Sequence, residues 1–190
     1  MVNNIYRRID NLLKNKECVI IAIDGKCCGG KSSLADMLRE KYDALLIRTD
    51  DFYLPFEVRT EQRMKEIAGH MDYERFHNEV VCNLGKKEFT YCKYNCQNNK
   101  FDKIELVKTN RVIIVEGTYS LLPYFDKYYD VSIFLDIDYD MQIQRIIQRN
   151  GEAKLKDYVN KWIVYENRYF NFYNIKHKAD IYIKDFVIEG

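Results

Sequence analysis

An α/β fold with a mostly parallel sheet is what this sequence predicts, and three observations predict it. Apolar runs of strand length recur along the chain. Between them lie segments whose apolar residues repeat at helical spacing. The first complete run passes directly into a glycine-rich turn that opens a helix. Strands alternating with helices imply right-handed crossovers around a parallel sheet.

The elements follow in order. Ile5 to Leu13 puts Ile5, Ile9, Leu12 and Leu13 on one face and predicts an amphipathic helix. Cys18 to Asp24 is a continuous apolar run, as expected of a strand covered on both faces. Lys31 to Lys41 predicts a helix and Ala44 to Thr49 the next strand. Asp72 to Asn83 predicts a helix with Phe76, Val80 and Val81 apolar. The pattern changes at about 88–107. Phe89 to Tyr94 and Phe101 to Val107 alternate, with Asn95, Asn98 and Asn99 between them, which predicts an antiparallel hairpin inserted into the framework. Arg111 to Val115 and Val131 to Leu135 predict two more buried strands. Helices are expected over Asp138 to Arg149 and Lys156 to Tyr173, and a last strand over Ala179 to Ile183.

Composition narrows the function. The chain has 190 residues, two prolines and no linker-like tract, so 1–190 reads as one domain. Apolar residues make up 47%, enough for a core without disulfides or structural metal. A net charge of +1 gives no global field toward nucleic acid or anionic membrane, and neither is expected as a partner. Met1 to Lys16 lacks the apolar stretch of a signal peptide, and Val19 to Ile23 is too short to span a bilayer. The expectation is a cytoplasmic protein whose six cysteines are reduced thiols. Cys92 and Cys96 have no second Cys/His pair at ligand spacing and read as hairpin residues.

The chemistry begins at Gly25-Lys26-Cys27-Cys28-Gly29-Gly30-Lys31-Ser32, which matches G-x-x-x-x-G-K-[ST]. Glycines let the backbone fold tightly and aim several N–H groups at a phosphate. The helix that follows adds the positive end of its dipole. In this pattern Lys31 neutralises β/γ oxygens, Ser32 ligates Mg²⁺, and Ser33 adds a hydroxyl near the α-phosphate. ATP with Mg²⁺ is therefore expected. Cys27 and Cys28 read as positions that tolerate small side chains, or as a thiol pair open to oxidation. Glu116 ends the apolar run Val112 to Val115, where an acid can hold Mg²⁺ directly or through water. Asp50 follows the second strand, and ligands in open α/β sheets bind beyond the carboxyl ends of strands. A carboxylate there can take the proton of an attacking hydroxyl, or it can belong to an exposed Asp-Asp turn. Arg59 and Arg63, four apart, would share a helix face. They could grip a phosphate or carboxylate on the acceptor, or lie on a solvated face with Glu57, Glu61 and Glu66. Tyr119, Tyr124, Tyr128 and Tyr129 could stack a base or pack in the core.

Taken together, the cradle, Asp50-Asp51-Phe52-Tyr53, Asp72 and Val115-Glu116-Gly117 resemble the uridine kinase and phosphoribulokinase group of P-loop kinases. The likeness runs from about the first strand to about the last. It implies a P-loop NTPase-type three-layer sandwich, a five-stranded parallel sheet flanked by helices, with a hairpin over the acceptor. It implies transfer of the ATP γ-phosphoryl group to a hydroxyl of a small molecule. By this resemblance Asp50 is the catalytic base, Tyr53 and Tyr94 belong to the acceptor pocket, and Asp72 holds ribose hydroxyls. Arg145 resembles the lid arginine that meets the transferring group, Arg149 is a second, and the lid covers about 149–156. Trp162 to Tyr169 and Ala179-Asp180 look like the family's C-terminal segment.

One departure bears on the acceptor. Nucleoside kinases of the group place a histidine shortly after a Tyr-Asp-aromatic triplet in the hairpin. Here the triplet is Tyr94-Asn95-Cys96, and the histidines are His70, His77 and His177. A nucleoside or nucleoside-like alcohol is expected, with pyrimidine nucleosides poor. Nicotinamide riboside, another vitamin-like alcohol or a sugar phosphate are rival acceptors. A non-catalytic ATP-binding or switch module is the alternative of another class, and it would need neither Asp50 nor an acceptor pocket. Assembly as a homo-oligomer is compatible with the sequence.

Overall fold

The run Val19–Gly25 buries side chains on both faces, so it belongs in the middle of a sheet. In the computed structural model, which describes residues 2–102 and 104–187, it does lie there. The elements are α1 (Val2–Leu13), β1 (Val19–Gly25), α2 (Lys31–Tyr42), β2 (Leu45–Arg48), α3 (Glu61–Lys65) and α4 (Tyr73–Glu79). The inserted segment holds β3 (Glu88–Tyr91), β4 (Tyr94–Asn95), β5 (Lys100–Phe101) and β6 (Glu105–Lys108). The framework resumes with β7 (Val112–Glu116), β8 (Val131–Asp136), α5 (Tyr139–Asn150), α6 (Glu152–Asp157), a π-helical turn (Tyr158–Trp162), α7 (Ile163–Tyr173), α8 (Ile175–Lys178) and β9 (Ile181–Lys184).

Five strands form one sheet in the order β2-β7-β1-β8-β9, and every pairing is parallel. Side chains alternate between its faces. Ile21, Ile23, Ile114 and Ile133 pack under Ile5 and Ile9 of α1 and Leu34 and Leu38 of α2. Ala22, Ile47, Ile113, Val115 and Phe134 face the other way, against Phe52, Phe76, Phe125, Tyr169 and Phe170. The result is the expected three-layer sandwich of five parallel strands and flanking helices. From β1 the chain leaves toward β7 and β2 on one side and β8 and β9 on the other. A crevice opens at such a switch point, beyond the carboxyl ends of the strands. Among the described residues no helix is long and apolar enough to cross a membrane.

Several boundaries differ from expectation for identifiable reasons. The hairpin breaks into two ladders, β3–β6 and β4–β5. At the break Cys92 turns to α4, its N–H donating to Glu79 (3.0 Å) and its carbonyl accepting from Arg75 (2.6 Å). The helix expected to reach Asn83 stops at Glu79, because the Asn83 amide caps the carbonyls of Asn78 and Glu79 at 3.1 and 2.8 Å. The helix expected from Lys156 starts at Glu152 and contains the π-turn. The lid expected over 149–156 falls on the end of α5, Gly151 and α6, and Gly151, at φ 80°, is the single residue separating the two helices. α3 was not expected at all. Thr60 caps it by accepting from the Arg63 N–H, so Arg59 lies outside it and shares no helix face with Arg63.

An ion cluster closes the carboxyl end of β8. Asp136 accepts from Lys26 (2.7 Å), Tyr182 (2.8 Å) and Lys176 (3.1 Å). Partial burial acts to raise its pKa, but these hydrogen bonds outweigh it and hold the carboxyl down at about 2. The folded pKa lies below the unfolded value of about 3.9, so the stabilisation is complete above about pH 4 and lost as pH falls toward 2. Asp136→Asn should lower the urea midpoint at neutral pH. The gap between variant and parent should close as midpoints are measured at successively lower pH through that window.

Candidate active site

β1 delivers the chain into the cradle at Gly25. Its φ is 139°, and a Cβ there would stand 2.0 Å from the Leu135 carbonyl oxygen, so only glycine fits. The loop is pinned to β8 by the Lys26 N–H on that same carbonyl (3.0 Å). Gly29 donates back to the Lys26 carbonyl (3.0 Å), and Gly30, at φ 96°, leads into α2. Lys31 is nearly buried, and its ammonium rests on the carbonyls of Gly25 (2.7 Å) and Lys26 (2.9 Å). The Lys26 side chain turns away to Asp136 and the Ile137 carbonyl (3.1 Å), so Lys26 contributes only backbone here.

Ser32 Oγ lies 3.2 Å from Glu116, whose other oxygen accepts from Arg48 at 2.9 Å. Burial raises the Glu116 pKa, against the pull of Lys31. Among the described residues no group of three or more His, Cys, Asp or Glu could hold a metal. The Ser32–Glu116 oxygen pair fits a hard dication that takes its remaining oxygens from water and phosphate, as Mg²⁺ does.

These groups border a cavity of about 800 Å³, lined by Cys27, Cys28, Gly30, Lys31, Ser32, Ser33 and Glu116 on the cradle side. Arg145 and Arg149 also line it. Arg145 donates to the carbonyls of Cys28 (3.1 Å) and Phe186 (3.2 Å), and Arg149 to Asn150 (2.9 Å) and the Tyr158 hydroxyl (3.4 Å). A hydrogen bond from the Cys27 thiol lowers Cys28 to about 7 against the effect of burial, with help from Arg149 and Lys31.

The same cavity is bordered by Asp50, Tyr53, Phe56, Arg59, His70 and Trp162. The 3₁₀ turn Thr49–Phe52 sends the two aspartates different ways. Asp50 faces the cavity and accepts from the Tyr53 hydroxyl at 3.0 Å. Asp51 lines a separate hollow of about 430 Å³, 4.0 Å from the Lys93 ammonium. Burial pushes the Asp51 carboxyl up to about 6, with Lys93 opposing. His70 sits in an aromatic box of Tyr53, Tyr119, Trp162 and Tyr165, with ring centres 5.0–5.6 Å from its own. Burial, aided by the charges of Arg59 and Lys161, drops its pKa to about 4, so it is neutral at physiological pH. Arg59 lies 4.3 Å over the Phe56 ring and donates to the Leu54 carbonyl (2.8 Å).

Three expected acceptor residues do not line this cavity. Asp72 is the N-cap of α4, accepting from the Arg75 N–H (3.0 Å) and guanidinium (3.1 Å). Tyr94 is buried in the hairpin, with its hydroxyl on Asn99 and its ring against Phe101. Arg63 is a staple. It donates to Glu74, Glu66, the Tyr73 hydroxyl and the carbonyls of Gly69 and Met71. Sequence reasoning missed His70 and two further buried polar residues, Gln142 and Glu166. The only pointer to Glu166 was its place in Trp162 to Tyr169.

Comparison with known proteins bears on the family and the fold. Residues 20–184 match the model of the Phosphoribulokinase / Uridine kinase family. A uridine kinase from Mycoplasma pneumoniae is 25% identical over 90% of this chain and 87% of its own length. One from Ligilactobacillus salivarius is 26% identical over 72% and 68%. The solved structure of a possible uridine kinase from Bacillus stearothermophilus superposes with a TM-score of 0.63 at 19% identity, covering 95% of this chain and 99% of that one. Phosphoribulokinase from Rhodobacter spheroides gives 0.61 at 12% identity, covering 88% and 70%. At these identities the two structures bear on the fold alone.

The staple geometry of Arg63 makes a stability prediction. Arg63→Ala should destabilise the fold by about 1–3 kcal/mol, because it takes the donor from the Gly69 and Met71 carbonyls and removes the tie between α3 and α4, while the exposed carboxylates of Glu66 and Glu74 return to water. Denaturant titration measures this, and nucleotide affinity should stay unchanged.

Proposed function

The chain belongs to the phosphoribulokinase / uridine kinase family, and from that premise we propose that it moves the γ-phosphoryl group of ATP onto a hydroxyl of a small, nucleoside-like molecule. The observation that carries this reading is one cavity bordered both by Lys31 and Ser32 of the cradle and by the carboxylate of Asp50. Asp50, oriented by the Tyr53 hydroxyl, takes the proton of the attacking acceptor. Lys31 exchanges the carbonyls of Gly25 and Lys26 for phosphate oxygens. Arg145 is placed to leave the Cys28 carbonyl for the transferring group. Ser32 and Glu116 would hold Mg²⁺, which when bound neutralises charge on the phosphates. For Glu116 this means sharing its carboxylate between the metal and Arg48. On this reading the protein works in the cytoplasm, where ATP is supplied.

The relatives named above are uridine kinases, which supports a nucleoside-like acceptor. Tyr53, Phe56 and Trp162 offer flat surfaces for a ring. A second reading rests on Arg59, which borders the cavity and has no carboxylate partner among the described residues. That favours an alcohol already carrying a phosphate or carboxylate. The alternative of a non-catalytic module leaves Asp50 and this half of the cavity without a task.

Asp50→Asn should lower kcat by about 10²–10⁴-fold with ATP affinity nearly unchanged, and Asp51→Asn should have much less effect. Lys31→Ala should abolish turnover in a protein that still folds, with a melting temperature lowered by the loss of the donor to the Gly25 and Lys26 carbonyls. Acceptor-dependent ATP consumption, followed with mass detection of product, should be weak with uridine and cytidine. It should be stronger with one of nicotinamide riboside, other vitamin-like alcohols or sugar phosphates. Uridine turnover with kcat/KM of about 10⁴ M⁻¹s⁻¹ or more would reverse the acceptor assignment. Failure of every acceptor to raise ATP consumption would sink the kinase reading.

A further inference from the structure

Two polar side chains are almost wholly removed from solvent beside the cradle: Gln142 on α5, 1% exposed, and Glu166 on α7, 3% exposed. Neither belongs to the G-x-x-x-x-G-K-[ST] pattern or to the proton transfer. Both hydrogen-bond to Cys27 and to each other. Glu166 Oε2 accepts the Cys27 backbone N–H at 2.9 Å, and Oε1 accepts from Gln142 Nε2 at 2.8 Å. The same Gln142 amide nitrogen lies 3.1 Å from the Cys27 carbonyl oxygen and 3.2 Å from its thiol. An amide nitrogen has two hydrogens, so it can serve Glu166 and the Cys27 carbonyl together. Both backbone groups of Cys27 are thereby fixed from outside the loop.

The consequence for phosphate binding follows from peptide geometry. In a trans peptide the C=O of one residue and the N–H of the next point in opposite directions, and no cis bond is present among the described residues. Holding the Cys27 carbonyl toward α5 turns the Cys28 N–H away from it. That N–H has no acceptor among the described residues, and Cys28 lines the cavity at φ 57°, a left-handed conformation uncommon for a side-chain-bearing residue. Such a conformation persists only where its surroundings over-determine it.

We propose that Glu166 and Gln142 are positioning residues that act as a pair, clamping the two peptide planes that flank Cys27 so that the Cys28 N–H is aimed at a nucleotide phosphate. A burial of this kind has a cost. Taking a carboxylate out of water is unfavourable unless its oxygens are well hydrogen-bonded, and here each oxygen has a donor. A glutamine at 166 could still accept from Cys27, but its amide would then face the Gln142 amide, donor against donor. The pair also ties α5 directly to α7, bracketing Gly151 and the π-turn.

The inference rests on the nucleotide-binding half of the proposed function, and its test separates the two. The variants are Glu166→Gln and Gln142→Met, both close in shape to the native side chains, and the double variant. ADP and ATP affinity is measured by calorimetry, kcat and KM by steady-state kinetics, and folding by thermal melts. Each single change should weaken ADP binding and lower kcat, together by about 10–100-fold, because misplacing one donor by an ångström costs that much. The acceptor KM should stay within about twofold. The double variant should be no worse than the more damaging single one, since the two side chains bond to each other and hold the same residue, Cys27. If a single variant fails to fold, the other alone carries the binding comparison. Native ADP affinity and kcat in folded variants would overturn the clamp while leaving the kinase reading intact. A rise in acceptor KM without a change in ADP binding would overturn it too, by making Glu166 an acceptor contact. A parent protein that binds neither ADP nor ATP would overturn the kinase reading itself.

Discussion

Asp24, next to last in the central strand, has no exposure to solvent, and its carboxylate is shared by three parts of the chain. One oxygen accepts from the Gly25 N–H (2.6 Å); the other accepts from the Leu121 N–H (3.0 Å) and the Tyr169 hydroxyl (2.8 Å). These donors belong to the start of the cradle, the segment after β7 and the helix α7 that also carries Glu166. Burial dominates its titration and pushes the carboxyl up to about 6, although all three donors and Lys31 pull the other way. A buried charge of this kind is tolerated only when its lone pairs are occupied, so the three segments hold one another in place. The cradle, the Glu116 strand end and α7 keep their mutual positions through this acceptor.

The half of the cavity bordered by Asp50 and His70 is organised differently, by aromatic packing. His70 is kept neutral by the rings around it and by two nearby cations, so it behaves as one more flat side chain. The polar groups left on the wall are few, chiefly Asp50, the Tyr53 hydroxyl and Arg59. The neighbouring Asp51 has no such role, because the 3₁₀ turn carries it to the other side of the strand.

What the sequence made legible was what repeats locally or sits at fixed offsets. The five strands were apolar runs, the cradle was glycines around Lys31, and Glu116 closed a run that had to be buried. The missed features are contacts between distant residues, which leave no local pattern. Glu166 meets Cys27 across 139 positions and Gln142 meets it across 115. Asp72 looked like a ligand group because a carboxylate before a helix also describes an N-cap, and the cap won. Arg63 looked like half of a phosphate grip, but Glu66, Glu74 and Tyr73 converge on it only once α3 and α4 are packed. Cys92 sits in an alternating run, yet its backbone is claimed by α4.

The one-residue break at Gly151 has an entropic consequence. A structureless loop over the site would have to freeze many backbone dihedrals whenever a ligand was enclosed, at about 1–2 kcal/mol of lost freedom per residue. Here α5 and α6 are already ordered up to that glycine on both sides. Any movement of α5 against α6 would run through the φ and ψ of Gly151, and any movement of α6 against α7 through the π-turn between them. If α6 closes over a ligand, enclosure by a jointed rod of this sort would sacrifice little disorder, and more of the ligand's binding energy would be left to hold the groups around it in line.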